Sequence, residues 1–350
     1  MIIPSARPCL DESDRQAVLR VFDSGLIADG EEIPAFEAEL AACLGLPGAV
    51  AVGSGFAALH LALLGLGVGA GDEVVIPCVS TCPAMRNAVW ATGATPVYAD
   101  VNRDDFNLSV ESVRAALTPR AKAVIAPHHT GVIADIPALS ALGVPVIEDC
   151  AQALGGTWRG RPAGSLGAAA AFSFYATKII TTVDGGAVAS PSADVLERVR
   201  GLRYYRHCGD GRMRFNYKMQ NLGAALGRSQ LKKLPLFLRR RAHAAARLKE
   251  VLARHGVTAF PGGDGDVGFR LAARFPARQR AALCRALEAK GCPVRADEMQ
   301  DMQCREGREH GNARRLMQEV LTFPLYPALS DDQVNWLVRT LDLALTEIGA

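Results

Sequence analysis

An alternation in the first 150 residues constrains this chain more than any other feature. Five short runs rich in β-branched residues occur at 49–53 (AVAVG), 73–77 (EVVIP), 96–100 (PVYAD), 123–127 (AVIAP) and 144–149 (VPVIED). Between them, apolar residues recur at helical spacing over 56–66, near 84–92, at 109–117 and at 136–143. Such alternation predicts an α/β fold with a mostly parallel sheet sandwiched by helices. Sheets of this kind bind ligands beyond the carboxyl ends of their strands. That rule points to Gly53-Ser54-Gly55, residues 77–82, His128 and Asp149. The pattern turns helical from 192 to about 254. After the turn cluster PGGDGDVG (261–268) come a strand at 269–275 and helices at 277–290 and 331–347, the expected content of a smaller α+β domain. The predicted division is 1–240 for the large domain, N-terminal segment included, and 241–350 for the small one. GLGVGAG (65–71) has the glycines of a phosphate-binding loop, but it follows a helix and precedes a strand, so it reads as a turn.

Bulk properties exclude several classes. The net charge of +3 is small and the basic residues are scattered, which argues against nucleic acid. The run LRRRAHAAAR (238–247) reads as the polar face of a helix. No apolar stretch is long enough to cross a bilayer; the best, 166–180, is broken by Lys178. The N-terminus lacks a basic segment followed by a long apolar one, so no signal peptide is expected. Nine cysteines at irregular spacings suggest reduced thiols and a cytoplasmic protein. Cys78 and Cys82 lack the third cysteine of an iron–sulfur motif, and His128-His129 has no partnered ligand motif, so no metal is expected.

The stretch FSFYATKIITTVDGGAVAS (172–190) holds a lone lysine between apolar runs. Of 39 Lys and Arg residues seven are lysine, and Lys178 stands alone between Lys122 and Lys218. Where arginine is the default cation, lysine is the one able to lose its proton and attack a carbonyl. A second stretch, VIEDCAQALGG (146–156), reads as a strand ending in Glu148-Asp149, with a single carboxylate projecting beyond the sheet edge. A carboxylate there and a lysine 29 residues later meet two demands of a pyridoxal-phosphate site. The amine forms an imine with the aldehyde, and the anion keeps the pyridine nitrogen protonated so that the ring can accept electrons. A phosphate cradle is the third demand. Ser54-Gly55 follows a strand and opens a helix, where backbone N–H groups and the helix dipole favour a dianion. Ser173 is either a satisfied strand serine or a second phosphate donor.

These stretches resemble the DegT/DnrJ/EryC1/StrS family of sugar aminotransferases, a branch of the fold-type-I pyridoxal-phosphate enzymes. The similarity runs through SGLIADGEEIPAFEAELA (24–41), VGSGFAALHLAL (52–63), GATPVYADVNRDDFNL (93–108), VPVIEDCAQALGG (144–156), GSLGAAAAFSFYATKIITTVDGGAVAS (164–190), FNYKMQNLGAALGRSQLKKL (215–234) and LTFPLYPALS (321–330). The resemblance implies pyridoxal 5′-phosphate as cofactor, passing through pyridoxamine 5′-phosphate, with Lys178 as the covalent attachment point and proton shuttle. It implies that Asp149 pairs with the pyridine nitrogen and that Gln152 lies near the phenolic oxygen. Ser54, Gly55 and Ser173 would bind phosphate, and Asn216 would reach the phosphate of a partner subunit in a homodimer with shared active sites. His128 matches a family histidine before a glycine turn.

Implied substrates are a small amino donor, L-glutamate or L-glutamine, and the keto group of a sugar or cyclitol-like acceptor. The alternative is a keto-sugar dehydratase of the same family, although those relatives carry histidine at the Lys178 position. Departures from the family pattern are Phe56 in place of threonine, Lys218 in place of arginine and Asp184 in place of glutamate. A loop (77–85) also lacks the aromatic residue that stacks on the ring. Either that stacking is lost, with Thr81 or Cys82 in its place, or Phe56 supplies the face. The compressed loop 294–311 suggests an acceptor smaller than a nucleotide-linked sugar.

Overall fold

A computed structural model describes residues 3–205, 213–260, 262–296, 299–302 and 310–349. Its main sheet has seven strands in the order 49–52, 186–189, 169–173, 146–149, 121–127, 73–77 and 95–99. All neighbours are parallel except Gly186–Ala189, which runs antiparallel to the strands on both sides. The five strands read from the sequence are all present, shifted by no more than two residues at their ends.

Strand alternation builds a core on each face. In the first strand Ala49 and Ala51 pack with Phe36, Leu40, Phe172 and Phe174. Val50 and Val52 face the other way, toward Ala58, Leu61 and Ala62 of the helix Gly55–Gly65. Both layers are dry, and every residue of Ala49–Val52 is buried. A third core joins the long helix Leu234–Arg254 to the helices Ala277–Ala289 and Asp331–Glu347 over a three-stranded sheet ordered 259–260, 270–274, 320–324. Residue 240 lies within that long helix.

The segment read as helical from 192 to 254 is interrupted. A helix ends at Arg203, and the next begins at Asn221. Of the intervening residues, 206–212 lie outside the described set, and 213–220 run extended against the first strand. There Gly53 N–H donates to the Tyr217 carbonyl at 2.6 Å, and Lys218 bridges Val52. The aromatic rings of Phe215 and Tyr217 stack at 4.8 Å, so burial of alternate side chains favours an extended run over a helix.

One residue is held against its backbone preference. Val183, exposed and β-branched, has φ +75°, in the left-handed region that L residues other than glycine, asparagine and aspartate seldom occupy. It precedes Asp184 in the turn that carries the chain back from Lys178 into the sheet. Val183→Gly is expected to raise stability by about 1 kcal/mol, read as a higher urea midpoint, because the relieved strain exceeds the added unfolded-state entropy. An unchanged or lower midpoint would mean that the valine side chain contributes more than its backbone costs.

Candidate active site

The carboxyl ends of the central strands and the first turn of the helix Gly55–Gly65 open into one cavity of about 410 Å³. Its wall includes Ser54, Gly55, Phe56, Asp149, Gln152, Ser173 and Lys178. Seven of the eight cofactor-site residues read from the sequence therefore converge. The eighth, Asn216, is exposed and is not part of this wall.

The helix mouth is built by sequence. Ser54 has extended backbone angles, and its hydroxyl accepts from Ala57 N–H at 3.1 Å, capping the helix. Gly55 comes next because nothing larger fits. A Cβ there would lie 2.7 Å from Ser173 Cβ and 3.0 Å from its Oγ. The absent side chain brings the Ser173 hydroxyl against the free N–H groups of the helix, making a polar cradle of phosphate character. Gly186 serves the same approach from behind, since a Cβ would press on the Ser54 carbonyl and lie 2.6 Å from that of Phe172. Gly55→Ala is expected to weaken pyridoxal-phosphate binding at least tenfold in a cofactor titration of the apoprotein, about 1.4 kcal/mol or more.

Asp149 ends its strand half-buried, with Oδ1 accepting from Ala151 N–H at 3.0 Å. Burial pushes its carboxyl above the ordinary range, opposed by that N–H, by the Lys178 ammonium and by His128. Its neighbour Glu148 points into the protein and is wholly buried. It accepts from Gly164, Leu166 and Gly167 N–H groups at 2.7–2.8 Å and contacts His128 Nε2 at 3.1 Å. Because His128 Nδ1 accepts from Ala134 N–H at 3.0 Å, Nε2 carries the proton and donates to Glu148. Both ring nitrogens of His128 are thus occupied in bracing the strand end, beneath the cavity rather than in it.

Gln152 is buried and fixed at both ends of its amide. Oε1 accepts from Thr130 N–H at 2.7 Å, and Nε2 donates to Thr81 Oγ1 at 3.2 Å. Thr81 and Cys82 share the cavity wall with Phe56, whose ring centroid is 6.0 Å from that of His60. Lys178 is half-buried between Phe174 and Ile179, both buried, with Nζ 5.6 Å from the centroid of the Phe269 ring. Asp184 also lines the cavity, whereas Lys218 pairs with Asp29 at 2.5 Å.

A cation, a carboxylate and an N–H-rich cradle in one cavity form the donor set that pyridoxal phosphate requires. The Gly55–Ser173 contact leaves the cradle open only because no Cβ is present. The residues fit the cofactor. Sequence reading missed the part of the lining that comes from Ser5, Ala6, Phe269, Arg270 and Arg295. The arginines carry no motif, and only strand pairing brings them to the site.

The sequence profile of the DegT/DnrJ/EryC1/StrS aminotransferase family matches residues 8–342. GDP-perosamine synthase of Caulobacter vibrioides is 38% identical over 264 residues, covering 73% of this chain and 71% of that protein. The crystal structure of the aminotransferase TlmJ from Streptoalloteichus hindustanus superposes with a TM-score of 0.94 at 31% identity, over 100% of both chains. DesV of S. venezuelae does so with a TM-score of 0.88 at 33% identity, over 97% of this chain and 98% of its own.

Proposed function

The chain belongs to the DegT/DnrJ/EryC1/StrS aminotransferase family, and on that footing we propose that it moves an amino group from L-glutamate or L-glutamine to a ring ketone of a sugar or cyclitol-like acceptor, in amino-sugar or natural-product biosynthesis. It is a pyridoxal-phosphate-dependent aminotransferase of the fold-type-I class. The observation that supports the transaminase chemistry is the convergence of Lys178, Asp149 and the Gly55–Ser173 cradle on one cavity, while the substrate class is supported by the family and its relatives.

When bound, pyridoxal phosphate supplies an aldehyde for amine exchange and a ring that draws electrons from the Cα–H bond. Ser54, Gly55 and Ser173 would hold its phosphate, and Asp149 would supply an anion for its ring nitrogen. Gln152, clamped by Thr130 and Thr81, would lie beside the ring. Lys178 Nζ would take the donor's Cα proton and return one on the acceptor side.

Exposed Val183, Phe22, Leu26 and Ile27 favour a second copy of the chain beside the site. Val18, Val183, Leu222 and Leu226 line one groove there together with Asp184, which also borders the cavity. Asn216, exposed and off its own cavity, suits a role toward the partner's phosphate in a homodimer. The division into a large cofactor-binding unit (1–240) and a small one (241–350) belongs to the same proposal, as does a cytoplasmic location. Among the described residues no helix is long and apolar enough to cross a membrane.

The deciding experiment loads the protein with pyridoxamine phosphate and offers keto-cyclitols, free keto-sugars and nucleotide-linked keto-sugars. Return of the aldehyde absorbance is expected with one ring-ketone class. Silence across the panel, together with failure of glutamate and glutamine to bleach the aldehyde form, would sink the proposal. The loop 294–311 lies partly outside the described residues, and its shortness supports the smaller acceptors. A response confined to nucleotide-linked sugars would overturn that preference.

A further inference from the structure

A second cavity, of about 370 Å³, opens between the end of the strand Glu73–Pro77 and the helix Gly311–Glu319. Among the described residues it shares none with the cofactor cavity. Along the sequence Cys78 has only Cys82 beside it, a spacing that suggests no metal. In the fold its neighbours are Asp100 and His310.

Strand register brings the first two together. Pro77 pairs with Ala99 on the parallel neighbour Thr95–Ala99, so the next residues, Cys78 and Asp100, leave adjacent strand ends side by side. Cys78 N–H donates to the Ala99 carbonyl at 2.9 Å, and its Sγ lies 3.9 Å from Asp100 Oδ1. The Asp100 carboxylate also accepts from Val101, Asn312 and Ala313 N–H groups at 2.8–3.0 Å. Asn312 Nδ2 returns a bond to the Val101 carbonyl at 3.0 Å. These contacts dock the first turn of the helix on the strand end and set His310, the residue before it, beside Cys78. They fix the carboxylate and leave it with acceptor capacity to spare.

One donor atom from each of Cys78, Asp100 and His310 lies within 4.8 Å of the other two. Zinc bonds of about 2.3 Å to sulfur and 2.0 Å to oxygen hold tetrahedral ligand atoms about 3.5 Å apart. The 3.9 Å between Sγ and Oδ1 therefore closes with a shift of roughly half an ångström. His310 Nε2 is shut off from solvent and, among the described residues, has no hydrogen-bond partner. An imidazole nitrogen so placed has lost its water without replacement, and a metal bond would compensate it. Sulfur, imidazole and carboxylate together suit zinc, whereas magnesium and calcium take oxygen ligands.

We propose that Cys78, Asp100 and His310 bind a zinc ion, with the fourth position open to the cavity. As the sulfur–zinc bond forms, the thiol proton leaves to solvent, and no electron changes hands. Burial, with the Asp100 and Asp301 carboxylates, pushes the Cys78 thiol up in the metal-free chain, and a divalent cation supplies the charge that opposes them. Asp301 and Arg314, of opposite sign, border the open position. The ion ties the helix Gly311–Glu319 to the strand end that continues through Val79–Ser80 to Thr81. Thr81 in turn accepts the Gln152 amide in the cofactor cavity, so the metal braces the loop on which that clamp depends.

Full-length holoenzyme cleared of metal with a chelator is expected to take up one zinc per chain in calorimetric titration and to melt at a higher temperature with zinc present. Cobalt(II) in its place should give the strong visible bands of a four-coordinate ion. His310→Ala and Cys78→Ser should each lower zinc affinity at least tenfold and lose the melting shift. Cys43→Ser, at an exposed cysteine of the helix Glu32–Leu44, should change neither. Circular dichroism identifies a variant that fails to fold. Should Cys78→Ser do so, His310→Ala and the cobalt spectrum decide. Zinc uptake equal in wild type and His310→Ala would mean adventitious binding elsewhere and overturn the site. The weak bands of a six-coordinate cobalt ion, or no uptake at all, would overturn it as well.

Discussion

Lys178→Ala is expected to give a folded protein whose turnover is lower by on the order of 10⁴-fold or more. The position explains why activity and stability separate. Lys178 N–H closes a turn on the Tyr175 carbonyl at 2.9 Å, a backbone bond that alanine keeps. Phe174 and Ile179 on either side are buried, while the lysine side chain is half-buried and contacts the Phe269 ring at cation–π distance. Its removal deletes the amine and little packing.

Three measurements check this. Thermal unfolding of the apoprotein should shift by only a few degrees. Wild-type protein reduced with borohydride should carry the cofactor's added mass on the peptide containing Lys178, and the variant should carry none. Multiple-turnover rates with glutamate should fall to background. A variant retaining a tenth of wild-type turnover would place the proton-transferring amine elsewhere, and an unmodified wild-type peptide would remove the covalent role altogether.

The outline of this site was legible because its chemistry comes from strand ends that the sequence marks by composition. EVVIP and VPVIED read correctly since each is buried, short and followed by turn residues. Lys178 stood out against an arginine background, and Asp149 against the apolar run before it. The strand Gly186–Ala189 was missed, and with it the antiparallel insertion next to the edge strand Ala49–Val52. A buried GAVA carries no directional signal, and its direction is set by the tight return from Lys178.

The N-terminal helix Glu12–Ser24 went unread although its signal was present. Asp11 caps it and Asp14 completes a reciprocal capping box, but the helix has few apolar residues and gives a weak periodic pattern. Arg270 and Arg295 illustrate the opposite limit. Each looks like an ordinary polar residue in its own segment, and only its cross-strand partner on Val320–Pro324 decides that it faces the cavity rather than the core. Nonlocal pairing of that kind leaves no trace in a single sequence.

Asp149→Asn should move stability and activity in opposite directions, which makes it the sharper test of the site's electrostatics. Burial raises the Asp149 carboxyl in the cofactor-free protein, with Ala151 N–H, Lys178 and His128 only partly opposing. A raised folded-state value means that the folded chain binds the proton more tightly than the unfolded chain. Stability from this group is therefore present at low pH and is lost as pH rises through the window between the ordinary carboxylate value and the elevated one. Above that window the ionised carboxylate is a fixed cost.

Asparagine has nearly the same shape, can keep the Ala151 N–H bond through its own Oδ1, and carries no charge. The apo variant should therefore melt higher than apo wild type at neutral pH, with the difference closing as pH falls through the same window. Pyridoxal phosphate reverses the sign. On the proposed pairing of Asp149 with the ring nitrogen, a protonated ring would supply the missing countercharge, and the cofactor should raise the melting temperature of wild type more than that of the variant. Catalysis should fall on the order of 10³-fold, the scale of removing one preorganised electrostatic partner from a site where charge develops. An apo variant no more stable than wild type at neutral pH would show that the local N–H and cationic groups already satisfy the carboxylate. Its principal partner would then be the protein rather than the cofactor ring.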